Sequence, residues 1–273
     1  MKKFVVPLWL TIIVACSPTP PPSQTATVNN VTLNYIVHGN GPPLYLLHGG
    51  MESRDSFENQ IAEFSKHFTV VALDSREQGR SGQSDAQITY ELMSKDVVAL
   101  AQHLNHDRIS IMGLSDGGVT AITTAVNSPE KVDKVILLGA NYHYDSYPAE
   151  TREFLANYKW DGNTDPNNFP GNFIKHYMTG HSDLSNFGAL LEEMSAMWTT
   201  SPSFTISDLK TVKSKTLVVA GDHEDMDLGH TLSLYNAIPN AQLFIVPNAT
   251  HYSLQEKPEL INAVAIQFLN DDS

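Results

Sequence analysis

At 273 residues, with 41% hydrophobic and 17% charged side chains, the chain has the composition of an ordinary folded protein and room for one large α/β domain with an insertion. Its 30 acidic and 17 basic residues give a net charge of −13, which argues against nucleic acid as a partner and against electrostatic adhesion to anionic lipid. A single cysteine excludes an intramolecular disulfide.

Lys2 and Lys3 precede an apolar run at 5–15 that is too short to span a bilayer as a mature helix. The run closes in Ile13-Val14-Ala15-Cys16, which resembles a bacterial lipobox. The pattern predicts a signal peptide over 1–15 and lipidation of Cys16, the lone cysteine. Ser17, rather than aspartate, resembles the pattern of lipoproteins sent to the outer membrane, here facing the periplasm. Cleavage would remove two of the 17 basic residues and take the net charge from −13 to −15. Residues 16–27 hold Pro18, Pro20, Pro21 and Pro22 and read as the anchor cysteine followed by a semi-rigid tether. Membrane contact is expected only through the lipid.

The folded domain is expected over 28–273. A strand at 32–37 leads through Gly39-Asn40-Gly41-Pro42 into a strand at 44–47, which ends in His48-Gly49-Gly50. Helical spacing follows at 56–68, a strand at 69–73 and an amphipathic helix at 90–104. The apolar run 109–112 then enters Gly113-Leu114-Ser115-Asp116-Gly117, with a helix-like segment at 119–126. Strand, tight turn and helix with serine at the tip is the context of the G-x-S-x-G nucleophile elbow. Another strand covers 135–138. From about 141 to 206 the alternation breaks into an aromatic, proline-containing stretch that turns helical at 188–198. A buried strand at 216–220 runs into Gly221-Asp222-His223-Glu224-Asp225, and one at 242–246 runs into Pro247-Asn248-Ala249-Thr250-His251. Acid and histidine thus both follow strand C-termini, where open α/β sheets place their sites. A last helix is expected at 258–269.

These pieces resemble the α/β-hydrolase superfamily, over residues 28–269. The resemblance rests on His48-Gly49-Gly50, the segment from Leu73 to Ser81, Gly113 to Gly118, Gly221 to Glu224, and His251. Within it, Gly-Leu-Ser-Asp-Gly-Gly is similar to the valacyclovir-hydrolase-like and small-esterase branches, which carry aspartate after the nucleophile. The resemblance implies an α/β-hydrolase fold, with a mostly parallel sheet, helices on both faces and a cap inserted at about 141–206. It implies Ser115 as nucleophile, His251 as general base and acid, and the Gly50 and Asp116 amides as oxyanion donors. The same aspartate, beside the nucleophile, is a candidate to pair with a substrate ammonium group. For the triad acid, an ungapped count from Gly221 favours Glu224, and Asp225 is the rival, since a one-residue shift would supply the aspartate usual there. The segment after Asp74 departs from the superfamily in carrying Glu77-Gln78 where a glycine-histidine pair is usual, a change expected to be structural. His48 is expected to shape the oxyanion turn rather than move protons.

The expected activity is hydrolysis of small carboxylic esters, aminoacyl esters among them, through an acyl-enzyme, with no cofactor. The alternatives are a lactonase, a C–C bond hydrolase or a perhydrolase on the same fold, or a hydrolase-like binding protein with little turnover. His223, Asp225, Asp227 and His230 lack the spacing of a known zinc site, so no metal is expected. The sequence leaves the oligomeric state open.

Overall fold

The computed structural model describes residues 21–271. The expected signal peptide and Cys16 lie outside the described residues. Eight strands form one sheet: β1 (Gln24–Val28), β2 (Val31–His38), β3 (Pro43–Leu47), β4 (Thr69–Asp74), β5 (Ile109–Leu114), β6 (Val132–Leu138), β7 (Lys215–Gly221) and β8 (Gln242–Val246). Their order is β1-β2-β4-β3-β5-β6-β7-β8. The two pairings that involve β2 are antiparallel and the remaining five are parallel.

The parallel strands are near-continuous apolar runs because both faces of the sheet are covered. Helices α1 (Glu58–Phe64) and α10 (Pro258–Asn270) cover one face, and α2 (Tyr90–His103), α3 (Asp116–Asn127) and α8 (Leu228–Ala237) cover the other. Strand alternation divides the core accordingly. In β4, Val71 and Leu73 belong to the core cluster that holds Leu100, Ala121 and Leu234, whereas Val70 and Ala72 belong to the one that holds Phe64, Ile261 and Phe268. A short helix α9 (Ser253–Glu256) links the turn after β8 to α10.

One boundary differs from the sequence reading. Residues 24–27, assigned to the tether, belong to β1, which pairs antiparallel with β2 and buries Ala26. The cause is a two-residue turn at Asn29-Asn30, both with positive φ (44° and 59°), the conformation that closes a tight hairpin.

Between β6 and β7 the chain leaves the sheet and builds the cap. It contains α4 (Ala149–Asn157), α5 (Gly171–Tyr177) and α6 (Phe187–Trp198), and ends at α7 (Ile206–Leu209). Tyr177, Phe187, Leu191 and Met194 form an apolar cluster with Met51, Tyr90, Met93 and Val119 of the sheet layer. Helix α4 buries no residue and leaves Phe154 53% exposed. Among the described residues, no helix is long and apolar enough to cross a membrane.

Candidate active site

The turn between β5 and α3 holds Ser115 at φ 52°, ψ −118°, a sparsely populated conformation for a residue with a side chain. Such a residue costs on the order of 1–3 kcal/mol and persists only where its surroundings over-determine it. Here Ser115 N–H donates to Leu138 O at 2.8 Å, and Ser115 O accepts from Val119 N–H at 3.0 Å. The glycines make room: a Cβ on Gly117 would lie 2.0 Å from Leu47 O, so α3 can seat against β3 only without one. The serine therefore heads α3, where first-turn amides have no partner within the helix and the dipole favours negative charge.

The loop after β3 approaches from the other side. His48 fixes it: Ser75 N–H donates to His48 Nε2 at 2.9 Å, so Nδ1 carries the proton and donates to Gly49 O at 2.7 Å. Met51, at φ 60°, donates its N–H to Gln78 Oε1 at 2.7 Å, and Glu52 N–H donates to Gly49 O at 3.2 Å. The Gly50 amide comes directly before these two engaged amides, in a residue that lines the same cavity as Ser115 and Asp116. Gln78 thus holds the loop.

His251 and Glu224 meet beyond β8 and β7. His251 Nδ1 donates to Glu224 Oε1 at 2.5 Å, with side-chain exposures of 15% and 1%. Burial alone would lower the His251 pKa, but the hydrogen bond and charge of Glu224, with smaller contributions from Glu52 and Asp225, hold it above the ordinary imidazole value. Of the two acidic candidates, Glu224 is the one bonded to the histidine. Asp225 is exposed, lines the cavity, and gives its backbone N–H to Glu224 Oε1 at 3.2 Å. Gly139, at φ 53° where β6 ends, faces the pair: a Cβ there would lie 2.8 Å from His251 Nδ1.

Ser115, Asp116 and His251 line one cavity of about 240 Å³. The cap closes it with Tyr147, Leu155, Phe169, Phe173 and Trp198. Asp116 ties cap to sheet layer, since its carboxylate accepts from Tyr90 Oη at 2.8 Å and from Trp198 Nε1 at 2.7 Å. Burial lifts the Asp116 carboxyl above the usual carboxylate range, and these two hydrogen bonds offset that only in part. Both of its oxygens are thus already engaged by the protein. The histidines and acids near the β7 turn go to separate places. His223 pairs with Asp222 at 2.7 Å, Asp227 caps α8 through Gly229 N–H at 3.0 Å, and His230 stacks on Tyr142 at 4.2 Å between centroids.

This geometry can be set against known proteins. A family model described as the alpha/beta hydrolase fold matches residues 42–188, just over half of the chain. The chain belongs to the alpha/beta hydrolase fold family. A putative esterase/lipase from Haemophilus influenzae is 24% identical over 260 residues, 87% of this chain and 88% of that protein. Serine hydrolase BPHL from Homo sapiens is 36% identical over 125 residues, 44% of this chain and 43% of that one, so this match is local. Among solved structures, a meta-cleavage product hydrolase from Pseudomonas fluorescens IP01 superposes with a TM-score of 0.75 at 21% identity, covering 92% of this chain and 98% of that one. At that identity the likeness concerns the fold.

Several residues of this alpha/beta hydrolase site escape a sequence reading. Glu52, Met226 and Tyr252 line the cavity from the sheet layer. Glu52 lies two residues past Gly50, so its nearness to the oxyanion loop was available as a signal. Of the cap aromatics, Tyr147, Phe169, Phe173 and Trp198 reach the cavity, whereas Trp160 and Tyr177 pack within the cap cluster. Helical spacing cannot separate these two groups, because loops carry two of the first, Tyr147 and Phe169.

Proposed function

We propose that this protein is a serine hydrolase of small carboxylic esters that works through an acyl-enzyme. The observation that carries this reading is the strained Ser115 at the head of α3, in one cavity with a histidine whose far nitrogen is bonded to a buried carboxylate. Glu224 accepts from Nδ1, which leaves Nε2 of His251 unprotonated and available as a base. His251 takes the Ser115 proton, and Oγ attacks the ester carbonyl. The Gly50 and Asp116 amides stabilise the oxyanion. The imidazolium then protonates the leaving alcohol, and a water activated by the same histidine releases the acid. Ester hydrolysis also agrees with the esterase/lipase name of the Haemophilus relative.

The test is the Ser115→Ala variant, with a fluorophosphonate probe and a panel of p-nitrophenyl esters, lactones and diketones. The expected result is labelling and ester turnover by the native protein, with loss of both in the variant. Undiminished turnover by Ser115→Ala would sink the mechanism. Preference for lactones or diketones would move the substrate to one of the alternative bonds on the same machinery. Absence of labelling and turnover in the native protein would favour a binding protein.

A further inference from the structure

Glu52 is a buried acid that adds a smaller contribution to the raised His251 pKa and has no other task in the mechanism. The turn that closes Glu52 N–H onto Gly49 O folds its carboxylate back against Gly49, within 3.3 Å of where a Cβ would stand. The residue is 7% exposed. Its Oε2 accepts from Ser56 Oγ at 2.6 Å, and no lysine or arginine among the described residues pairs with it. Of the other carboxylates at this level, Asp116 is committed to Tyr90 and Trp198 and Glu224 to His251, while Asp225 is exposed to solvent. A carboxylate largely removed from water and holding one hydroxyl donor gains from a ligand cation that pairs with it.

The surroundings describe that ligand. Glu52 lines the catalytic cavity and also a second cavity of about 500 Å³ beneath α5. Phe169, Phe173 and Tyr252 line both as well, so the acid stands among three aromatic rings where the two cavities meet. A carboxylate among aromatic faces is suited to an ammonium group, which gains an ion pair and cation–π contact together. His176, also on the second cavity, bonds to Ser53 Oγ at 3.1 Å. Burial holds its pKa below the ordinary imidazole value, with Glu52 nearby acting in the other direction, and Lys175 lines this cavity without pairing with Glu52.

We propose that Glu52 is the cation receptor of this site, and that the substrates selected are esters bearing a primary or quaternary ammonium group seated where the two cavities meet. The proposal rests on the ester-hydrolase reading above and assigns its substrate class to a residue other than Asp116.

Two matched pairs of esters test it. Butyrylcholine against 3,3-dimethylbutyl butyrate places the cation on the alcohol side, and L-alanine benzyl ester against benzyl propionate places it on the acyl side. The readout is the ratio of kcat/KM, cationic over neutral, for the native protein, Glu52→Gln, Glu52→Asp and Asp116→Asn. A native ratio of about ten or more is expected in at least one pair, the size of one charged hydrogen bond for the primary amine or of one desolvated cation–π and ion-pair contact for the quaternary one. It should collapse toward one in Glu52→Gln and survive in part in Glu52→Asp, which keeps the charge. Native ratios near one in both pairs overturn the proposal, as does a ratio that Glu52→Gln leaves intact. A ratio lost only in Asp116→Asn reassigns the receptor to Asp116. Fluorophosphonate labelling separates the two levels. Labelling and turnover without cation preference overturn the Glu52 assignment alone, whereas absence of both in the native protein overturns the hydrolase reading and this proposal with it.

Discussion

Replacing Glu224 with glutamine keeps the shape of the site and removes one charge, and the structure sets how much that matters. Glu224 Oε1 receives two N–H groups, from His251 Nδ1 at 2.5 Å and from the Asp225 backbone at 3.2 Å. The amide oxygen of glutamine belongs there, which puts its NH2 at the Oε2 position. That position is buried, and among the described residues no group hydrogen-bonds to Oε2. One orientation therefore buries an unsatisfied donor. The flipped one points NH2 at the imidazole and selects the wrong tautomer. Loss of charge from the bond alone is worth about 1.5–3 kcal/mol, roughly ten- to hundredfold in rate. The tautomer penalty in a triad reaches about 10⁴. The expected fall in kcat is therefore about 10²- to 10⁴-fold, with KM nearly unchanged. The pH profile gives an independent readout. Glu224 is the main influence that raises the His251 pKa against burial, and the base acts when neutral. Activity is thus lost as pH falls through a native value above about 6.5, and this acid limb should move to lower pH in Glu224→Gln. Hydrolysis of one p-nitrophenyl ester from pH 5 to 9 measures both effects. Asp225→Asn, tested alongside, should cost about twofold to fivefold, since it removes only a cavity-lining charge. A large loss in Asp225→Asn with little change in Glu224→Gln would refute the assignment.

Gly139→Ala places a methyl group 2.8 Å from the His251 ring at a φ of 53°, so kcat should fall about a hundredfold, the cost of roughly 1 Å of misplacement; a change under twofold in steady-state assays would mean that the ring has room to move. Arg76 and Asp96 form a buried two-point ion pair, at 2.7 and 2.8 Å with exposures of 0% and 3%. Asp96→Asn leaves the guanidinium without its charge partner, at a cost of about 3–5 kcal/mol. Calorimetry should then show Tm lower by roughly 6–20 °C, and a shift under 2 °C would contradict this account. For the N-terminus, we propose that Cys16 is lipidated in a bacterial host. Cys16→Ser should release the protein from membrane fractions, and retention there with its lipid label would defeat the proposal.

How much of this was legible in the sequence depends on whether the signal is local or tertiary. The buried parallel strands announce themselves as apolar runs, and β8 occupies the span expected for it, 242–246. Helix α3 starts at Asp116 rather than at 119, because Gly117 and Gly118 read as turn residues while the close approach of α3 to Leu47 and Ala140 requires them inside a helix. Strand β1 was hidden by its place beside a proline-rich segment and by its polar edge character, although Val28-Asn29-Asn30-Val31 is the pattern of a two-residue hairpin. Among the site residues, Ser115, Gly50 and His251 follow strand ends and can be found by motif and position. The choice between Glu224 and Asp225 could not be made that way, because neighbours in a turn differ only in which side chain reaches the histidine.

Asp116 and Glu52 carry the same lesson to the chemistry. From the sequence, the acid next to the nucleophile is the natural partner for a cationic substrate. In the folded protein that acid is tied to Tyr90 and Trp198 and joins the cap to the sheet layer. Glu52 has no such tie to the cap and sits on a loop whose conformation depends on Gln78, 26 residues away in the chain. A carboxylate's task is set by what else can satisfy it, and only the tertiary structure records that. Asp116, with two neutral donors and a raised pKa, is suited to holding the cap in place. Glu52, with a hydroxyl on one oxygen and aromatic rings beyond, is suited to meeting a cation. Each residue type was visible from the start. The division of work between them follows from burial and hydrogen-bond supply.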